Sequence, residues 1–177
     1  TIKVFVVGEA QNPGAYEISS LSTLFHALYL AGGPTSIGTM RNILLIRNNK
    51  IIGTSDIYEF LLTGKKQQDY KLQSGDTIFI PLTGPLVGIS GNVKRPAIYE
   101  LKEEKKLLDL INLAGGIHIT GYCGRIQVER IEKYEKKLIF DLENVTDIFE
   151  GRDGANNILL QDGDFVRIFS IDPRIYN

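Results

Sequence analysis

The chain has 177 residues, with 20 Lys plus Arg against 21 Asp plus Glu, a net charge of -1, and 43% hydrophobic residues. With charge balanced and neither sign in a long block, the basic face that a nucleic-acid partner requires is excluded, whereas neutral or acidic sugars are not. The longest apolar stretches, 24–31 and 78–93, are broken by polar residues, Gly or Pro before the roughly 18 residues of a membrane span, which excludes a membrane-spanning segment. The single cysteine, Cys123, has no partner for an internal disulfide and leaves the compartment open. No signal peptide is read at the start, and a chain that begins at Thr1 reads as an excised or processed portion of a longer protein.

Ile2 to Val7 is β-branched and aromatic and predicts a strand. Asn12-Pro13-Gly14 then makes a tight reversal into a second strand, Ala15 to Ile18. Ser22 or Thr23 caps a helix whose apolar positions Leu24, Phe25, Ala27, Leu28 and Leu30-Ala31 recur at helical spacing. Gly32-Gly33 ends it and Pro34 blocks continuation. A strand over Asn42 to Arg47 turns at Asn48-Asn49 into Lys50 to Thr54. Ser55-Asp56 caps a short helix that stops at Gly64, Gln67 to Lys71 is a polar connection, and Leu72 to Gly75 leads into a strand over Asp76 to Pro81.

The same order then returns: strands Leu86 to Ser90 and Ile98 to Leu101, a helix over Leu107 to Ala114, and a strand over Arg125 to Arg130. A longer hairpin tip at Ile131 to Lys136, a strand at Leu138 to Asp141, a short helix near Asn144 to Phe149, a polar loop from Gly151 to Asn157 and a strand over Asp164 to Phe169 complete it. Sliding Val4 to Arg47 forward by 83 positions lays it over Val87 to Arg130 with thirteen identities in 44 positions, among them Gly8, Pro13, Tyr16 and Leu30-Ala31-Gly32-Gly33. The offset grows to 85 at Asp56 and Asp141 and to 88 at Gly75-Asp76 and Gly163-Asp164, the mark of two small insertions. A period near 85 residues suits a small domain rather than a solenoid unit. The reading is two tandem domains, 2–84 and 85–170, with a tail over 171–177. Each is α+β, a mixed sheet on one main helix in the ubiquitin-like β-grasp layout.

The pattern V-x-V-x-G, then P-G-x-Y, a helix ending in L-A-G-G, an R-x-I-x-L-x-R strand and L-x-x-G-D-x-I-x-I stands at Val4 to Ile18, Leu30 to Gly33, Arg41 to Arg47 and Leu72 to Ile80, and again in the second half. It resembles the soluble ligand-binding β-grasp (SLBB) domain, and the tandem pair resembles the periplasmic part of bacterial outer-membrane polysaccharide export proteins. The resemblance implies a non-catalytic, ring-forming component of a conduit for capsule or exopolysaccharide. It implies weak contact with the polymer, homo-oligomers in the full-length protein, inner-membrane export machinery as a partner, and attachment to the outer membrane through parts outside this chain. A free-standing module for a small ligand or sugar is the alternative. The second copy departs from the pattern where Ala97 follows Pro96 and where Arg125 stands one place late behind Gly124, and a different turn geometry is expected there.

No catalytic constellation emerges. His26 and His118 do not correspond between the copies, and two histidines with one cysteine do not supply a metal site. Asp162 and Asp164 read as turn residues, matching Ser74-Gly75-Asp76, and neither Gly-rich segment has the lysine and following helix of a P-loop. No cofactor is expected. Sugar recognition uses aromatic faces and planar polar groups, which singles out Asn12, Tyr16 and Arg47 in the first copy and Arg95, Tyr99 and Arg130 in the second; a half-buried packing role competes for each.

Overall fold

The computed structural model describes residues 1–66, 68–118 and 121–170, giving the backbone alone for 121–124; the tail over 171–177, Gln67 and the Cys123 side chain lie outside the described residues. Contacts divide the chain into two compact units, Thr1–Gly84 and Pro85–Asn177. The first contains β1 (Ile2–Gly8), β2 (Gly14–Ile18), α1 (Leu24–Leu30), β3 (Ile43–Arg47), β4 (Lys50–Ser55), α2 (Tyr58–Thr63) and β5 (Thr77–Ile80). The second contains β6 (Leu86–Gly91), β7 (Ala97–Glu100), α3 (Leu107–Leu113), β8 (Gly121–Glu132), β9 (Glu135–Glu143), α4 (Thr146–Phe149) and β10 (Phe165–Ser170).

Each unit is a five-stranded mixed sheet with one main helix, the α+β layout read from the sequence. The strand orders are β2-β1-β5-β3-β4 and β7-β6-β10-β8-β9. In each, the last strand enters the middle of the sheet and pairs in parallel with the first, β5 with β1 and β10 with β6. The alternation of β1 places Val4 and Val6 in the core, where α1 delivers Leu24, Ala27 and Leu28. Val87 and Ile89 of β6 and Leu107, Leu110 and Ile111 of α3 do the same in the second unit. Fully burying one such side chain stabilises by about 1.5–3 kcal/mol, so these stripes define which face of each sheet is inside.

Register repeats as faithfully as sequence. Val4 faces Tyr16 and Val6 faces Gly14 in the first hairpin; Val87 faces Tyr99 and Ile89 faces Ala97 in the second. Ala97 therefore holds the place of Gly14 in the ladder, and the departure expected there leaves the pairing unchanged. A register shift between Leu45 and Ile46 recurs between Val128 and Glu129, 83 residues on. The second departure is absorbed too. Arg41 pairs with Asp56 at 3.1 Å and stacks over Tyr58, while the displaced Arg125 pairs with Asp141 at 3.1 Å and stacks over Phe169.

One expectation fails. The insertion near residue 131 does not build a longer tip: β8 and β9 extend to a two-residue turn at Lys133-Tyr134, both with positive φ, as at Asn48-Asn49. Added residues that continue the ladder keep their backbone groups paired, which a longer loop would not. Among the described residues no helix is long and apolar enough to cross a membrane.

Candidate functional site

Three arrangements bring together the side chains that chemistry could use. The first lies where the β1–β2 turn meets the end of α1. Both glycines there have positive φ, 81° at Gly32 and 74° at Gly33. The Gly33 N–H donates to Leu28 O and the Gly32 N–H to Tyr29 O, the paired bonds of a Schellman cap. Gly116 to Ile111 and Gly115 to Asn112 repeat it. The turn docks on this end: the Asn12 N–H donates to Ala31 O, as the Arg95 N–H does to Ala114 O, each at 2.9 Å. The Tyr16 hydroxyl donates to Asn12 O and the Tyr99 hydroxyl to Arg95 O, closing the hairpin on itself. Asn12 Nδ2 reaches Ala31 O at 3.4 Å and Arg95 reaches Leu113 O at 3.0 Å. Tyr16 is half-buried, whereas Tyr99 is 6% exposed.

The second arrangement is an arginine brace. Arg47 grips Asp76 with Nε at 2.8 Å and a second nitrogen at 2.8 Å, and Arg130 grips Asp164 at 2.9 and 3.0 Å. Both carboxylate side chains are 0% exposed. Each aspartate also accepts the N–H three residues back, from Gln73 or Gln161, at 2.8 Å. The hydrogen bonds to Asp76 and Asp164 push the two guanidinium pKa values up, so both arginines stay charged. This is the work of the Gly-Asp pair in each copy: the glycine turns at positive φ and the aspartate braces β5 to β3, or β10 to β8.

The six side chains singled out from the sequence thus separate into these two structural devices, one of each per copy. Two residues the sequence reading passed over are as important. Asp69 accepts the Phe25 N–H at 3.0 Å and the Thr23 hydroxyl at 2.8 Å, so the start of α1 is capped from across the unit while Thr23 makes no side-chain cap of its own. Asn157 accepts the Leu108 N–H at 2.8 Å in the same way. The only signal in the sequence is that both lie three residues before the matched Leu72 and Leu160.

The third arrangement has no repeat counterpart in residue type. A cavity of about 620 Å³ opens between the outer face of α1 and α2, lined by Phe25, Tyr29, Pro34, Phe60, Leu61 and Lys66 among others. The Phe25 and Phe60 rings lie 5.6 Å apart at 55°, with the Lys66 ammonium 5.6 Å from each. The lining is overwhelmingly apolar, which suits ring faces and aliphatic groups better than hydroxyls. At the matching places α3 carries Leu108 and Asn112.

Among the described residues no group of three or more His, Cys, Asp or Glu side chains could hold a metal ion. His26 Nδ1 lies 2.9 Å from Ser22 Oγ, and Asp162 accepts the Leu86 N–H at 2.8 Å.

Comparison with known proteins matches the SLBB domain family over residues 3–57 and 86–141, more than half of the chain and once in each unit. Two relatives, both polysialic acid transport protein KpsD of Escherichia coli, are 30% identical over 125 residues. The match covers 67% of this chain and 22% of theirs, so the chain spans under a quarter of the length of these relatives.

Proposed function

The chain belongs to the SLBB domain family, and on that premise we propose that it is a non-catalytic portion of a polysaccharide export protein, contributing to a conduit through which capsule or exopolysaccharide passes. The observation that carries the reading is the match, over two thirds of the chain, to a protein named for polysialic acid transport. On this reading the chain works in the periplasm, in a homo-oligomer attached to the outer membrane through parts outside this sequence and facing inner-membrane export machinery.

A conduit must let its cargo leave, so its surface binds weakly and at many places. The geometry supports such a role. The strongest polar groups, Arg47, Arg130 and the Tyr99 hydroxyl, are engaged within the fold. The exposed Asn12 and Arg95 and the half-buried Tyr16 remain at the surface for passing contact with sugar. The second reading, a module for a small ligand or sugar, is favoured by the cavity beside α1. Titration of capsule-type oligosaccharides and small metabolites, followed by NMR shifts, separates the two. The conduit reading expects millimolar or weaker sugar binding, about 4 kcal/mol or less. A saturable one-to-one site of micromolar affinity overturns it in favour of the binding module.

A further inference from the structure

The main helices of the two units agree on their inner face and part on their outer one. Leu24, Ala27, Leu28 and Ala31, all buried, stand against Leu107, Leu110, Ile111 and Ala114, so the core stripe keeps its apolar type. Phe25, His26 and Tyr29 stand instead against Leu108, Asp109 and Asn112, and Asp109 accepts the N–H groups of Lys105 and Lys106. The fold common to both units therefore does not require the two aromatic rings and the imidazole of α1. In the first unit α2 brings Phe60 and Leu61 to the same cavity, 36% and 57% exposed, beside Tyr29 at 83%. Apolar side chains left wet around a hollow of about 620 Å³, a volume in the usual range of small-molecule sites, mark a place that a ligand would fill.

The chemistry of the walls narrows the class of that ligand. Phe25 and Phe60 form a tilted pair, 5.6 Å between centroids and 55° between planes, which a third ring extends by the same edge-to-face attraction. The Lys66 ammonium, 5.6 Å from each centroid, is already answered by Asp69 at 3.6 Å, so the cavity gives an anion no unpaired cation to bind. Two hydrogen-bonding groups of the lining are open: the Tyr29 hydroxyl and the second ring nitrogen of His26, whose Nδ1 lies 2.9 Å from Ser22 Oγ, have no partner among the described residues. We propose that the α1–α2 cavity binds an uncharged planar aromatic molecule with one hydrogen-bonding group on its edge, of the phenol or indole kind, its ring against Phe25 and Phe60 and its polar edge toward His26 or Tyr29. The proposal rests on the small-ligand reading of this cavity and names the ligand class. A saturable site for a non-aromatic metabolite would sink the class and spare that reading, and the sugar titration bears on neither.

Indole is the probe, titrated into the nitrogen-15-labelled 177-residue chain and followed by amide shifts. The shifts should saturate with a Kd on the order of 1 mM, as so small a probe allows, and should fall on α1, α2 and the Gly32-Gly33 turn while the matching amides of α3 stay still. Cyclohexanol, which keeps a hydroxyl and loses the ring, and benzoate, which keeps the ring and adds a charge, should each bind at least about fivefold more weakly. Phe60→Leu keeps an apolar side chain on α2 and removes one wall ring, and should weaken indole by a similar factor. Tyr29→Ala, at a largely exposed position that leaves the core intact, should weaken it too, so the test survives a poorly folded Phe60 variant. The proposal is overturned by shifts that do not saturate, by equal shifts on α3, by cyclohexanol or benzoate binding as tightly as indole, or by a folded Tyr29 variant that binds as the parent does. Indole affinity that falls as the protein concentration is raised would show that a second copy covers the cavity, and overturns it as well.

Discussion

The two units agree where a backbone group or a buried charge must be satisfied and differ where a surface faces outward. The Schellman glycines, the tyrosine-closed hairpin, the remote cap on the main helix and the arginine–aspartate brace recur at matched positions. By contrast the outer face of the main helix is aromatic in one unit and carries Leu108 and Asn112 in the other, and the β8–β9 hairpin is far longer than β3–β4. Constraint of this kind falls on groups whose loss leaves an unpaired donor, acceptor or charge. The outward surfaces carry no such obligation and are free to diverge.

The brace provides the severest test of that equivalence. Removing Arg47 or Arg130 leaves a fully buried carboxylate without its cation, which should destabilise the affected unit by about 3–5 kcal/mol. Hydrogen exchange resolved by segment, followed in denaturant, assigns the loss to one unit or the other. A brace variant in one unit that unfolds no more easily than the parent would break the parallel.

Next come the glycines that close the first strand of each sheet. A Cβ on Gly8 would lie 2.3 Å from Ile80 O, and one on Gly91 only 1.9 Å from Ile168 O, both at positive φ. Alanine at either position combines left-handed strain with overpacking against backbone and should cost about 2–4 kcal/mol. At Gly33 and Gly116 the added atom meets nothing, so only the strain of about 1–2 kcal/mol remains for a Val substitution. Thermal melting should therefore rank Gly91→Ala below Gly116→Val, and Gly8→Ala below Gly33→Val; a reversed order would show that the close backbone approach is relieved by a shift of β5 or β10.

A smaller effect is expected at the remote caps, where Asp69→Ala and Asn157→Ala should each cost about 1 kcal/mol, concentrated in the first turn of the main helix. Amide exchange at Phe25 and Leu108 reads this directly. Equal acceleration at both would sharpen the parallel, and no change at one would show that water replaces the cap there.

The smallest effect separates the units by pH. Asp147 of the second unit is held below the usual carboxylate range, first by the hydrogen bond from Asn156, and then by backbone N–H groups. Asp153, bonded by Asn157 and Lys106, and Asp141, bonded by Arg125 and Gln127, shift the same way. A carboxyl whose folded pKa lies below its unfolded value contributes stability above the unfolded pKa and loses it as pH falls through the folded one. The second unit should therefore weaken on acidification below about pH 4. Asp147→Asn should flatten that part of the acid-unfolding curve, and an unchanged curve would assign the sensitivity to other groups.

Taken alone, the order of residues determined the repeat, the sequence of strands and helices, and where each main helix stops. These follow from local rules: alternation for a half-buried strand, helical spacing for an amphipathic helix, and glycine wherever φ must be positive. Only the tertiary structure decided the rest. The placement of β5 between β1 and β3, the Asp69 cap 44 residues from the N–H it accepts, the Arg47–Asp76 brace, and the gathering of Phe25, Tyr29, Phe60 and Leu61 around one cavity join residues at separations with no period. The insertion near residue 131 shows the same limit: its residues suited a loop as well as a strand, and the pairing of β8 with β9 decided between them, because continuing the ladder pairs backbone groups that a loop would leave to solvent.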